Sequence, residues 1–190
     1  SDGRATRLSA DSEELLSALS TFLAAYRNAR RCGLDLSDTY RSIDKWVHDQ
    51  YPDKFCTAVL AELHVPTGTY RKISAGHPGE LLLRDGKLVK ELPTPTALPL
   101  GLGHLDNPIP VVTEESLQPG DRILLYTDGV TESEDSAGQF FGEQRLANLL
   151  ARMLGASSEE VTGSVLDEVR LHAMGSSVSD DITALALKFK

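Results

Sequence analysis

Three short stretches of this chain carry the residue types for metal-assisted chemistry: Ser1-Asp2-Gly3, Thr127-Asp128-Gly129 and Ser179-Asp180-Asp181. Carboxylate oxygens are the ligands that Mg2+ and Mn2+ prefer. Three such groups converging from strand or helix ends would hold two hard cations about 3.5–4 Å apart, activate a bridging water and neutralise a phosphoryl group. The plainer reading of each stretch is a solvated turn or a helix cap, since Asp-Gly is also a common hairpin signal. Spacing along the chain does not decide between the two. Asp128 is the most suggestive of the three. The apolar residues Ile123, Leu124, Leu125 and Tyr126 end abruptly at it. An acid at the tip of a buried strand costs free energy unless its charge is compensated, and a cation is one such partner.

The elements that must position these acids follow from periodicity. Asp11 and Ser12 are N-cap candidates, and Glu13 and Glu14 suit the positive end of a helix dipole. Leu15, Leu19, Phe22, Leu23 and Tyr26 then recur at helical spacing, and Gly33 stops the run, predicting a helix over about 12–32. Ser37 is expected to cap a second helix, with Tyr40, Ile43 and Val47 on one face, ending before Pro52. From residue 55 the pattern is that of strands: 55–65, 69–75, 80–84 and 87–92, separated by turns at 66–68, 76–79 and 85–86. These read as an antiparallel meander of about four strands. Residues 93–108, rich in Pro and Gly, form a long irregular loop, and further strands are expected at 110–113 and 122–127.

Beyond Gly142, Leu146, Leu149, Leu150 and Met153 mark one helix. Ser157-Ser158-Glu159-Glu160 is a capping box that opens another, with Val161, Val165 and Val169 inward. Residues 175–181 form a polar loop, and 182–189 alternate as a closing strand. The order helices, strands, helices, strand fits an α+β layered domain built on antiparallel sheet.

The 190 residues suit one domain, residues 1–190, and 41% hydrophobic with 25% charged residues suits a globular chain. A net charge of −9 and a pI near 5.0 argue against a nucleic-acid surface and offer acidic lipids no basic patch. No apolar stretch approaches the roughly 20 residues a membrane helix needs. Cys32 and Cys56 form no metal-ligand spacing and are expected as buried free thiols in a reducing, cytoplasmic setting.

Several motifs, in order, resemble the SpoIIE/RsbU branch of the PPM-type metal-dependent serine/threonine phosphatases. They are Ser74-Ala75-Gly76-His77-Pro78 with Leu81-Leu82-Leu83-Arg84, then Leu98-Pro99-Leu100-Gly101-Leu102. Leu117-Gln118-Pro119-Gly120-Asp121-Arg122 leads into the most distinctive, Leu125-Tyr126-Thr127-Asp128-Gly129-Val130-Thr131-Glu132; Phe141-Gly142 and Ser179-Asp180-Asp181-Ile182-Thr183 complete the set. The resemblance covers about three quarters of the chain. It implies an antiparallel β-sandwich flanked by helices, in four layers αββα, with two Mn2+ or Mg2+ ions between the sheets.

By the same resemblance Asp128 and Asp180 are metal ligands central to catalysis, Asp181 is the next candidate, and Asp2 with the Gly3 carbonyl would complete the site. His77 reads as a turn residue packing the hairpin. The implied activity is hydrolysis of phosphoserine or phosphothreonine on a regulatory protein of the anti-sigma-factor antagonist type, in bacterial partner switching and stress responses. Residues 12–49 resemble the segment through which upstream sensor domains act, and a homodimer is a further expected association. The N-terminus departs from the pattern: Ala5-Thr6-Arg7 stands where Gly-His-Gly is expected, and upstream strands are missing. The domain is therefore expected to be truncated at its N-terminus. The alternative is a catalytically impaired phosphatase-fold module that binds a regulatory partner.

Overall fold

A computed structural model describes residues 10–85, 87–95, 97–103, 110–153, 155–174 and 181–190, with side chains from Ser20 onward except that of Val89. Asp2, Gly3 and Asp180 lie outside the described residues.

Two helices open the described chain. Helix α1 spans Ala10–Arg31 and ends where Gly33 turns into the left-handed region at φ +79°, its N–H bonded to the Arg30 carbonyl. Helix α2 spans Leu36–Gln50. Its cap is Asp35, not Ser37: Asp35 has extended backbone, and its carboxylate accepts from the Asp38 N–H at 2.8 Å. Leu36, Tyr40, Ile43 and Val47 are buried against Leu60, Ile73 and Ala75, which makes the outermost helix layer and its core.

Strands β1 (Ala58–His64) and β2 (Thr69–Ala75) form an antiparallel hairpin, and β5 (Thr113–Ser116) adds to the other edge of β2. Strands β3 (Leu81–Arg84), β4 (Lys87–Glu91), β6 (Arg122–Tyr126) and β7 (Ala184–Lys188) form a second sheet in the order β4-β3-β6-β7. The four-strand meander is therefore corrected to two hairpins in different sheets. Residues 76–79 carry the chain from one sheet to the other. The alternation of Leu81, Leu82 and Leu83 is the reason this works. Leu81 and Leu83 pack on the helices that follow, while Leu82 meets Tyr70, Leu92, Leu117 and Ile123 between the sheets.

The strand expected at 110–113 forms instead at Thr113–Ser116, where the register pairs Thr113 with Lys72 and Ser116 with Thr69. Pro110 has no N–H to give a ladder. A single helical turn, α3 (Asp128–Thr131), follows β6. Helices α4 (Gly142–Ala151) and α5 (Ser158–His172) then cover the second sheet. Ser157 and Glu160 make the reciprocal capping box at the start of α5, and Val161, Val165 and Val169 are buried. The layers are thus α1/α2, first sheet, second sheet, α4/α5, the αββα order the resemblance implies.

One pair of charges lies inside the sandwich. Lys72 and Glu80 are 2% and 0% exposed and ion-paired, and the Tyr70 hydroxyl donates to Glu80 Oε1 at 3.1 Å. At the far edge, β7 exposes Leu185 and Leu187 on the face shared with Leu125 and Ile123. Both cysteines are exposed, contrary to expectation. Cys56 lies on the Cys56–Leu100 bridge, where its backbone N–H and carbonyl pair with Leu100.

Candidate metal centre

Asp128 stands where β6 ends and α3 begins. Strand β6 is anchored at its other end by Asp121, which is buried and receives Arg84 Nε and Nη2 at 2.8 and 2.7 Å and the Gln118 N–H at 2.7 Å. Burial pushes this carboxyl up, but the hydrogen bonds from Arg84 and Gln118, with the Arg84 charge, bring it below the ordinary carboxylate value. The strand is therefore pinned at Asp121 and runs through the buried residues Arg122, Ile123, Leu124 and Tyr126.

Asp128 itself is exposed, which corrects the expectation of a buried, uncompensated acid. The backbone turns into α3 immediately after Thr127, and that turn lifts the carboxylate out of the core. Its Oδ1 accepts from the Gly129 N–H at 3.0 Å. The case for a cation at Asp128 rests on which acids meet there, not on burial.

The acidic stretch at 181 does meet it. The Thr127 hydroxyl donates to the Asp181 carbonyl at 3.1 Å and accepts from the Thr183 N–H at 3.0 Å, and the Thr127 N–H bonds the Thr183 carbonyl at 3.1 Å. Gly129 lies under the same carbonyl, where a Cβ would fall 2.5 Å from the Asp181 oxygen. Only a residue without a side chain allows this approach. The Thr127-Asp128 turn and the Asp181 stretch are thus brought together by contacts that span 54 residues, from Thr127 to Asp181. The sequence motif contains Thr127 and Gly129 beside the acid, but their role, clamping the two stretches together, is visible only in the structure. The signal was present, since both flank Asp128.

His77 is close enough to this site for the Asp128 charge to act on it. Burial lowers its imidazole pKa, against the raising effect of the Glu80 and Asp128 carboxylates and of a hydrogen bond to the Tyr126 backbone, while Lys72 lowers it further. Its Nδ1 is 3.4 Å from Thr57 Oγ1, and its carbonyl accepts from the Ser74 hydroxyl at 3.0 Å. No hairpin joins β2 and β3, so His77 packs a crossover and not a hairpin turn.

Among the described residues no group of three or more His, Cys, Asp or Glu side chains is close enough together to hold a metal ion. The donors that do meet, Asp128 and the Asp181 stretch, are oxygen donors, and the close approach at Gly129 seats one stretch on the other. In kind they fit a hard divalent cation.

The model of the Stage II sporulation protein E (SpoIIE) family matches residues 16–190. The chain belongs to the SpoIIE family. This SpoIIE-family domain is 28% identical over 133 residues to Protein IcfG of Synechocystis sp. (strain ATCC 27184 / PCC 6803 / Kazusa), covering 70% of this chain and 20% of that protein. Its fold matches the crystal structure of the RsbU and RsbW domains of Rv1364c from Mycobacterium tuberculosis with a TM-score of 0.74 at 25% identity, over 90% of this chain and 47% of that one. It also matches the SiaA-PP2C domain of Pseudomonas aeruginosa, with a TM-score of 0.74 at 20% identity over 89% and 68% of the two chains. The phosphatase domain of the cell fate determinant SpoIIE from Bacillus subtilis matches with a TM-score of 0.58 at 16% identity, over 100% and 79%. The domain spans about a fifth of IcfG and about half of the Rv1364c chain. The family and the fold together make it a PP2C-type phosphatase domain of the SpoIIE/RsbU kind.

Proposed function

We propose that this SpoIIE-family domain hydrolyses phosphoserine or phosphothreonine on a regulatory protein in a metal-dependent reaction. The observation that carries the reading is the seating of the Asp181 carbonyl against Gly129, which brings the acidic stretches at 128 and 181 together. Two Mn2+ or Mg2+ ions, when bound, would supply a water of lowered pKa and neutralise charge on the phosphoryl oxygens. Asp128 and Asp180 would be the principal ligands, with Asp181, Asp2 and the Gly3 carbonyl as the remaining candidates. Thr127 and Gly129 hold the acids in place. The net charge of −9 favours cation uptake and suits a substrate recognised by shape and hydrogen bonding more than by a basic surface.

The SpoIIE/RsbU kinship supports a phosphorylated anti-sigma-factor antagonist as substrate, in the partner switching of a bacterial cytoplasm. Among the described residues no helix is long and apolar enough to cross a membrane. A homodimer or an upstream sensor domain would act through α1 and α2. Helix α2 is already tied to the 97–103 loop: Asp44 Oδ1 accepts from the Gly101 and Gly103 N–H groups at 2.8 and 3.2 Å, and the Tyr40 hydroxyl donates to the Leu98 carbonyl at 2.8 Å.

Ala5-Thr6-Arg7 favours a second reading, a phosphatase-fold module that binds its partner without turnover. Calorimetric titration with Mn2+ and phosphate release from a generic phosphoester separate the two. Metal uptake with turnover, both lost in Asp128→Asn, supports the enzyme. Partner binding with neither leaves the module.

A further inference from the structure

A buried cation on the second sheet has no partner. Arg122 opens β6 and is 7% exposed, and its Nε has no hydrogen-bond partner. Among the described residues it forms no ion pair. A guanidinium keeps its proton at any ordinary pH, so it cannot escape the cost of burial by becoming neutral. A second cation stands beside it. Arg122 lies directly opposite Lys188 on β7, and directly opposed residues share a face of the sheet. Further along the same row Leu124 faces Ala186 and Tyr126 faces Ala184, and all four belong to the core under α4 and α5. By alternation, Arg122 and Lys188 are the end pair of this helix-side row. Like charges opposed across a ladder destabilise it, and a bound anion would relieve both.

The first turn of α5 lies at that end of the row. At the other end of the helix, His172 Nε2 donates to the Gln139 carbonyl at 2.9 Å, and its ring meets Phe141 edge-on, in the segment that follows β6 and α3. Helix α5 therefore runs from the Arg122 end of β6 toward the Tyr126 end. In its first turn the capping box takes the Ser157 and Glu160 N–H groups, and the Ser157 carbonyl takes the Val161 N–H. The Ser158 and Glu159 N–H groups have no partner among the described residues. Two acids share this turn. Hydrogen bonds with Ser157 hold the Glu160 carboxyl below its ordinary value, and the Arg122 charge adds to them. Glu159 is exposed. Neither forms an ion pair with Arg122.

We propose that Arg122, Lys188 and the Ser158 and Glu159 N–H groups form a binding site for a phosphate-like oxyanion, at the opposite end of β6 from Asp128. A helix N-terminus and a forked guanidinium both favour such an ion. The net charge of −9 repels an acidic protein more than it repels a small anion, so the ligand is free phosphate or a small phosphate monoester. Roughly 13 Å of strand, from Arg122 to Tyr126, separates this site from the candidate metal centre. The inference stands apart from the reading of Asp128 as a metal ligand.

Inorganic phosphate and O-phosphoserine are each titrated calorimetrically into the full chain, stripped of metal and dialysed, with ionic strength held constant by chloride. Stripping the metal removes any anion site that bound ions would create. Saturable uptake is expected, and the tighter of the two anions identifies the source of the phosphate group. Arg122→Met keeps most of the bulk and removes the charge. It is expected to weaken uptake roughly 10-fold or more, the loss of one hydrogen bond to a charged group. Lys188→Glu changes an exposed position, reverses the charge and is expected to abolish measurable binding. Asp128→Asn is expected to bind as the wild type does. Three results would each overturn the site: no uptake of either anion by the wild type, wild-type affinity in Arg122→Met or Lys188→Glu, or loss of binding in Asp128→Asn. The last would place the anion at the candidate metal centre instead.

Discussion

A methyl group at Gly129 is enough to part the two acidic stretches. Its Cβ would meet the Asp181 carbonyl oxygen at 2.5 Å, and that oxygen is backbone, with no rotamer to escape into. Gly129→Ala is expected to destabilise the domain by about 1–3 kcal/mol, the cost of overpacking, and to lower Mn2+ affinity in the same titration. An unchanged melting temperature with unchanged affinity would contradict the contact. Asp121 gives the pH dependence. Its folded pKa lies below the ordinary 3.8, so its stabilisation is complete above the unfolded value and disappears as pH falls through the folded one. Urea midpoints measured from about pH 5 down to pH 2 should fall more steeply for the wild-type chain than for Asp121→Asn. A parallel fall in the two would assign acid lability to other carboxylates.

At the scale of elements, α5 depends on its first turn. Ser157 Oγ accepts from the Glu160 N–H at 3.1 Å, and Glu160 Oε2 accepts from the Ser157 N–H at 2.6 Å. Ser157→Ala should cost about 1 kcal/mol, read as a lowered melting temperature in a thermal melt. This box was legible in the sequence because capping is local: donor and acceptor lie three residues apart. Helices α1 and α2, the hairpin β1–β2 and strand β6 were legible for the same reason. The break after Ala75 was not. Both sides of it alternate, and period-two patterning says which face a residue takes without saying which sheet it joins. The shift of the strand from 110–113 to Thr113–Ser116 has the same origin, since its place is dictated by the register with β2. The acids were legible as residue types. Their meeting was not, because it runs through Thr127, Gly129 and the Thr183 backbone, none of which has chemistry of its own.

For the whole molecule, the telling feature is a charged pair between two sheets. Removing Lys72 alone strands the Glu80 carboxylate in the interior, and Lys72→Met is expected to lose about 3–5 kcal/mol. Replacing both, as Lys72→Met with Glu80→Leu, should recover much of that, because a well-packed apolar pair is often no worse than a buried ion pair. Denaturant unfolding of the wild type, the single and the double variant measures the difference. A single variant as stable as the wild type would mean that Glu80 finds water or another donor.

The span of the Thr127–Asp181 contact sets an order of events. Hairpin β1–β2 closes over a few residues, whereas the clamp at Thr127 must wait for a segment 54 residues further along to return and dock. Closing so long a loop is slow and comes after local structure has formed. During refolding, the domain should therefore gain its helical signal well before it can take up Mn2+, so that competence arrives as the last step of maturation.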